Sequence, residues 1–166
     1  MKHDLIYVAQ LIERKCPMFV VEVMRLLPDV SIRIIGDGPL RKRMLDALET
    51  NSVKYTYTPR VKFDLMPKEF ANAKICLLPT LLDPWGLVAN EAIAEGCAVI
   101  TTKEAGCAED LVIHRRNGFV LPLVARPWAF YIRFVLSGHY HLNIEMPYNR
   151  EDSAERIRCA VRRAMQ

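Results

Sequence analysis

Six short, mostly apolar runs, LIYVAQL (5–11), SIRIIG (31–36), VKYTY (53–57), KICLLPT (74–80), AVITT (98–102) and GFVLP (118–122), are separated by stretches whose apolar residues recur every three or four positions. That alternation constrains the fold more than any other feature. The runs have strand length and strand composition. The intervening PMFVVEVMRLL, PLRKRMLDALE, LMPKEFANA, LVANEAIAEG and CAEDLVIH have the period of half-buried helices. Strands joined through helices pair in parallel by right-handed crossovers, and strands this apolar need cover on both faces. The expected fold is α/β, a doubly wound parallel sheet of about six strands with helices on both faces. In such a sheet ligands bind beyond the carboxyl ends of the strands, where the strand order reverses. Functional residues are therefore expected just after strands.

A chain of 166 residues, 51% hydrophobic and 25% charged, has the composition of one globular domain, and a second full domain does not fit. We read residues 1–166 as that domain, with 123–166 as its C-terminal helical segment. That segment comprises a helix in PWAFYIRFVLSG, the irregular HYHLNIEMPYN, and a closing helix DSAERIRCAVRRAMQ capped by Asp152 or Ser153. The closing helix carries an apolar stripe of Ala154, Ile157, Val161 and Ala164.

The net charge of +4 is mild and its basic residues are scattered through RKRM, HRR and VRRAM, which gives no support to nucleic-acid binding; a basic surface turned to anionic ligands or a membrane stays open. Cysteines 16, 76, 97, 107 and 159 are odd in number, and three lie in apolar surroundings, so reduced thiols and a cytoplasmic setting are expected. The chain has no CxxC pair, and His139 and His141 form a lone HxH, so no metal is expected. MKHDLIYVAQLIERK lacks a signal-peptide core, and Arg126, Pro127 and Arg133 interrupt the longest apolar stretch before it spans a bilayer. A soluble protein is expected.

Four strand ends carry candidate chemistry. After the first, Arg14 and Lys15 precede a helix opening near Pro17, so cations and free backbone N–H groups converge on a cradle for phosphate; a solvated pair in a loop is the plain alternative. After the second, Gly36 and Gly38 free the backbone for a close approach to a ligand and Pro39 suits the first helical position. Arg41 stands where a third glycine of a dinucleotide fingerprint belongs, and a simple tight turn reads equally well. After the fourth, DPWGLVANEAIAEG sets Asp83 and Glu91 around a Pro84-Trp85-Gly86 turn. The N–H groups of Gly86, Leu87 and Val88 are expected to be free for an anion, with Glu91 about one turn further along the helix. A carboxylate repels phosphate, so this pattern favours a ligand with both hydroxyls and phosphates, a nucleotide sugar. An N-capping Asp83 with a solvent-facing Glu91 is the alternative. After the fifth strand, Gly106 opens another helix after a polar loop, which lines the same cleft in the functional reading, while Glu109 and Asp110 read as ordinary first-turn charges.

IIGDGPLRKRM, ANAKICLLPT, DPWGLVANEAIAEGCAVITT and GCAEDLVIHRRNGFVLP, in this order, resemble the C-terminal, donor-binding half of retaining glycosyltransferases of family 4, from about Leu5 to Pro122. The resemblance implies a Rossmann-like half of a GT-B fold. It implies that a hexose moves from a UDP- or GDP-sugar with retention, without metal or other cofactor, in polysaccharide, lipopolysaccharide or glycolipid assembly. Asp83 and Glu91 match the two acidic positions of the family's Glu-x7-Glu motif, which implies contact with the sugar hydroxyls and with the ribose respectively. Lys15 matches the lysine that neutralises the diphosphate, making Asp83, Glu91 and Lys15 the implied catalytic residues. Trp85, Gly86, Leu87 and Val88 match the loop at the sugar and diphosphate; Gly36, Gly38 and Pro39 match the turn under the nucleotide; Pro59 and Arg60 fall where the base is held. The sequence departs from the family at Ala9-Gln10, where Gly-Arg is usual, and at Cys16 and Thr58, where glycine is usual. Arg14 is the candidate substitute for the missing arginine. The resemblance covers one half of such an enzyme, so an N-terminal GT-B domain or partner chain is expected, with the chain inactive by itself and the full enzyme at the inner face of a membrane. A noncatalytic nucleotide-sugar-binding module that works with a partner is the alternative, and a nicotinamide-binding domain fits less well because its glycine motif is misplaced.

Overall fold

The structure, a computed structural model, describes residues 3–138 and 143–144. Six strands, β1 (His3–Val8), β2 (Ser31–Ile35), β3 (Lys54–Thr58), β4 (Ala73–Leu78), β5 (Ala98–Thr101) and β6 (Gly118–Val120), pair in parallel in the order β3-β2-β1-β4-β5-β6. Between and after them run α1 (Pro17–Arg25), α2 (Arg41–Thr50), α3 (Met66–Ala71), α4 (Leu87–Ala94), α5 (Cys107–Asp110) and α6 (Ala125–Leu136). This is the doubly wound α/β sheet expected from the sequence. Its order reverses between β1 and β4.

Successive strand residues point to opposite faces, and each face makes a core. Leu5, Tyr7, Ile75, Leu77 and Ile100 meet Val20 and Met24 of α1, Met44 and Leu48 of α2, and Trp128 and Ile132 of α6. On the other face Ile6, Cys76, Leu78 and Val99 meet Phe70 of α3, Ala92 and Ile93 of α4, and Cys107 and Leu111. Each fully buried large aliphatic side chain contributes about 1.5–3 kcal/mol, so the two-sided strands of the sheet centre dominate stability. Trp128 is wholly buried, donates its indole N–H to the Pro122 carbonyl at 2.8 Å and meets the Phe19 ring edge-on at 5.2 Å, which anchors α6. β3 sits at the sheet edge, and there Lys54 and Thr56 are exposed while Tyr55 and Tyr57 are half-buried.

Three details differ from expectation. β1 stops at Val8 instead of reaching Leu11, because the chain leaves the sheet after the Ala9 N–H bonds the Ile35 carbonyl (3.1 Å) and next binds the following loop through Leu11 N–H and the Asp37 carbonyl (2.9 Å). α2 begins at Arg41, so Pro39 belongs to the turn before it and not to its first helical position. α5 is a single turn rather than the longer helix through His114: buried Asn117 accepts the Ile113 N–H (2.8 Å) and donates to the Leu111 carbonyl (3.0 Å), stabilising a turn in the place of helix.

His139, His141, Cys159 and the closing helix lie outside the described residues. Among those described, no helix is long and apolar enough to cross a membrane, and no cluster of three or more His, Cys, Asp or Glu is placed to hold a metal. Cys16, Cys76, Cys97 and Cys107 are free thiols.

Candidate active site

The reversal between β1 and β4 opens a crevice at their carboxyl ends, and the loops that leave these two strands are bound to each other. The Arg14 carbonyl accepts the Leu81 N–H at 2.8 Å and the Thr80 hydroxyl at 2.9 Å. The Tyr7 hydroxyl, on the first core's face of β1, donates to the Lys15 carbonyl at 2.6 Å. Buried Thr102 donates from β5's end to the Thr80 carbonyl at 2.7 Å. These bonds hold the Lys15 backbone beside the fourth strand's loop. There the Lys15 ammonium bonds Oδ2 of Asp83, with only 14% and 13% of the two side chains exposed.

Asp83 is fixed from every side. Its Oδ1 accepts the Gly86 N–H at 2.9 Å and, more weakly, the Trp85 N–H at 3.4 Å. Its backbone N–H donates to the Glu104 carbonyl (3.1 Å), and its carbonyl accepts the Gly106 N–H (2.9 Å). The loop after β5 thus props the loop after β4. Gly106 allows the contact, since a Cβ there would lie 2.1 Å from the Pro84 carbonyl oxygen. Gly86 takes a left-handed φ of 85° as the N-cap of α4. Trp85 is 6% exposed and its indole N–H donates to Asn90 Oδ1 at 2.7 Å, which ties the turn to its own helix. One expectation is corrected here: the Gly86 N–H is not free for an anion, because Asp83 occupies it. The N–H groups of Leu87 and Val88 have no partner among the described residues, so two donors at the N-terminus of α4 remain for a ligand.

Lys15, Asp83, Trp85, Gly86, Leu87 and Val88 line one recess. Val88 also borders a second, lined by Gln10, Gly36, Pro59, Arg60 and Met66; Met66 borders a third, with Phe63, Glu91 and Glu95. The three adjoin in a groove across the strand ends. Glu91 is half-buried, its carboxylate bonds no described residue, and burial pushes its pKa up. Such a carboxylate is ready to accept hydroxyl hydrogen bonds.

The structure places the remaining expected residues less directly. Gly36 lines the groove, but the close approach it permits is to the chain itself: a Cβ would sit 1.8 Å from the Ala9 carbonyl oxygen, and one on Gly38 2.6 Å from that of Leu11. Gly38 and Pro39 shape the turn without lining the groove. Cys16 holds a left-handed backbone, φ 51° and ψ 47°, which explains why glycine would suit this position. Gln10 is exposed at the groove. Arg14, exposed, reaches the Leu82 carbonyl at 3.4 Å, next to Asp83. Sequence reasoning did not single out Tyr7, Thr80, Thr102 or Glu104, and it named Gly106 at the cleft without its role as a prop for the Asp83 loop. The one available signal was the threonine just after each of two buried strands, Thr80 after β4 and Thr102 after β5, since a buried hydroxyl must find a partner.

The arrangement joins a cation, two free amides and a lone carboxylate along one groove, with the cation and amides suited to phosphate and the carboxylate to hydroxyls. The sulfoquinovosyl transferase SQD2 of Arabidopsis thaliana is 30% identical over 96 residues, 58% of this chain and 18% of its own length. Sucrose-phosphate synthase of Thermosynechococcus elongatus superposes with a TM-score of 0.75 at 24% identity, over 82% of this chain and 36% of that one. An Anabaena protein, HepE, whose structure was solved with UDP, superposes at 0.70 with 21% identity, over 82% of this chain and 39% of that one. The chain spans about a quarter or less of the length of the curated relatives it matches, 26% and 18%. Structural neighbours are GT-B glycosyltransferases. Residues 1–156 match the family model of the glycosyl transferases group 1, and the chain belongs to that family.

Proposed function

We propose that this chain is the donor-binding half of a retaining hexosyltransferase and that its groove takes a nucleoside diphosphate sugar. One observation carries the reading: the Lys15 ammonium and the unpartnered Leu87 and Val88 N–H groups share a recess that continues, past Val88 and Met66, to the unpartnered carboxylate of Glu91. Lys15 and the amides take the diphosphate. Glu91 accepts the ribose hydroxyls. Gly36, Pro59 and Arg60 border the nucleoside, with Gly38 and Pro39 shaping the turn behind them and Trp85 and Gly86 setting the angle of the helix end. As the glycosidic bond breaks, negative charge grows on the departing diphosphate, and fixed donors already aimed there lower the barrier without reorganising. No metal or other cofactor is assigned to this step.

The acceptor site and the rest of the catalytic apparatus belong, in this reading, to a second GT-B domain on the same gene product or a partner chain. Transfer is not expected from this chain alone. The HepE structure with UDP supports a nucleotide ligand of this kind, and the sulfoquinovosyl transferase SQD2 supports transfer of a sugar. We extend the proposal to polysaccharide, lipopolysaccharide or glycolipid assembly by a whole enzyme associated peripherally with the cytoplasmic face of a membrane. A second reading, a noncatalytic nucleotide-sugar-binding module, is favoured by Gln10, which puts a neutral side chain at the groove.

Thermal unfolding in the presence of UDP, GDP, their sugar conjugates and NAD tests the assignment, because a ligand at 100 times its dissociation constant adds about 2.7 kcal/mol to stability. Stabilisation by a nucleoside diphosphate that vanishes in Glu91→Ala is the expected result. Stabilisation by NAD alone overturns it. Sugar transfer by the isolated chain refutes the need for a second half, and a reconstituted two-domain protein that binds donor but never transfers it favours the second reading.

A further inference from the structure

One stretch of the chain carries its whole charge imbalance. Residues 111–144 hold four arginines, Arg115, Arg116, Arg126 and Arg133, and no Asp or Glu, while the other 19 of the 23 Lys and Arg side chains balance the 19 carboxylates. The described part of this stretch comprises the turn before β6, β6 at the sheet edge, and α6. All four arginines are exposed. Apolar groups stand among them. On α6, Arg126, Phe130, Arg133 and Phe134 recur at the spacing of one helix face. Phe130 is 62% exposed and its ring stacks with that of Phe134 at 6.2 Å, while Val124 at the N-cap is 51% exposed. Edge-on ring contacts run from Phe130 to Tyr131 (5.3 Å) and from Tyr131 to His114 (6.2 Å), the neighbour of Arg115, so helix and turn make one surface. The other side of α6, with Trp128 and Ile132, packs into the first core. None of these residues lines the three recesses of the groove.

We propose that this face docks on an anionic membrane surface, with Phe130 and Val124 entering the interface and the arginines meeting lipid phosphates. A solvated helix face needs no exposed ring, and a patch for a free anion needs no phenylalanine. Together they match the headgroup boundary, where rings sit between apolar and polar layers and arginine stems lie along apolar surface with their guanidinium groups at phosphate. A second copy of this chain is a poor occupant, because a two-fold contact sets the face against itself and brings its like charges together. The cytoplasmic leaflet is the anionic one, and each cation near it strengthens binding about fivefold. The docking face takes from the proposed function only the membrane association of the whole enzyme, and it stands apart from the nucleotide ligand.

Flotation of the full chain with vesicles of phosphatidylglycerol and phosphatidylcholine in equal parts, against phosphatidylcholine alone, tests the face. Binding to the anionic vesicles that weakens as salt rises, with little binding to the neutral ones, is the expected result. Phe130→Ser lowers vesicle affinity about tenfold through lost apolar burial, and Arg126→Ala lowers it about fivefold. Lys42→Ala removes the same charge from α2, where that side chain is 85% exposed, and leaves vesicle binding unchanged. Circular dichroism checks that the three variants are folded, and titration with UDP gives the same affinity in each. An unaltered chain that ignores anionic vesicles overturns the proposal, whether or not it binds UDP; vesicle binding without UDP binding supports the face while removing the nucleotide-sugar reading. Equal losses in Arg126→Ala and Lys42→Ala sink it by making total charge responsible. Poly-glutamate bound as tightly as vesicles, and unaffected by Phe130→Ser, reassigns the face to an acidic polypeptide. A dimer in sedimentation that Phe130→Ser abolishes reassigns it to a second copy, and either reassignment refutes the membrane contact.

Discussion

At the scale of single residues, two positions show that the chain accepts cost at its groove. Cys16 holds a left-handed backbone that costs a non-glycine residue about 1–2 kcal/mol, beside Lys15 and at the N-cap of α1. Cys16→Gly is expected to raise the unfolding free energy read from urea denaturation by about 0.5–1 kcal/mol, once the greater freedom of glycine in the unfolded chain is deducted. Cys16→Ala keeps the strain, so no such gain there identifies the backbone and not the thiol as the source. Glu91 is the second case. Burial raises its folded pKa above the unfolded value, so the native state binds the proton more tightly and stability falls as pH rises from the ordinary carboxylate range through the raised value. Above that window the protein carries the cost of a half-buried, unpartnered charge. Glu91→Gln should therefore raise the melting temperature at neutral pH, with the gain shrinking toward about pH 4, where both forms are neutral, while nucleotide affinity drops. Scanning calorimetry across pH, paired with titration, checks both signs. The two carboxylates and Lys15 were legible in the sequence because each follows a strand end. The Lys15–Asp83 bond was not, since it joins positions 68 apart and only the folded crevice brings them together.

At the scale of elements, the apolar alternation carried the sheet: each of the six runs is a strand, because period and composition agree at each. What local pattern missed was decided by tertiary bonds. The reach of β1 past Val8 failed because its loop binds the next loop instead of a neighbouring strand, and α5 ended early because Asn117 offers the backbone another partner. The glycine turn after β2 shows the same limit. Its two glycines were visible as a tight turn, but what they serve is the packing of one strand-end loop against another, with no room for a Cβ at Gly36. Gly36→Ala is expected to cost about 3 kcal/mol or more, since the clash is with backbone and cannot be relieved by a rotamer change. Chemical denaturation reads that loss directly. A drop below about 1 kcal/mol would mean that the two loops move apart freely, and the groove they border is then not preformed.

At the scale of the whole molecule, the second core offers a way to ask whether the groove and the fold are one cooperative unit. Cys76 on β4, Cys97 before β5 and Cys107 at the start of α5 are buried there together, with Cys97 and Cys107 thiols pushed up to about 12 by desolvation and that of Cys76 also raised. In the native state they are shielded from alkylating reagents both sterically and as neutral thiols. Each reacts only when the core opens. Cys107 also touches the site, since its N–H donates to the Trp85 carbonyl at 2.6 Å and its sulfur lies 2.9 Å from where a Gly86 Cβ would be. If the helix-start turn and the core open in one step, iodoacetamide labelling mapped by mass spectrometry gives one rate for all three cysteines. A nucleoside diphosphate at 100 times its dissociation constant then slows all three about 100-fold, because the ligand binds only the closed form. Faster labelling of Cys107 alone, with ligand protection confined to it, would instead make the α4 start and α5 a local unit that opens while the sheet stays intact. The shared core argues for the first outcome, because Cys107 and Leu111 of the α5 region pack with Cys76, Leu78 and Val99 of the sheet, so α5 cannot lift without opening that core.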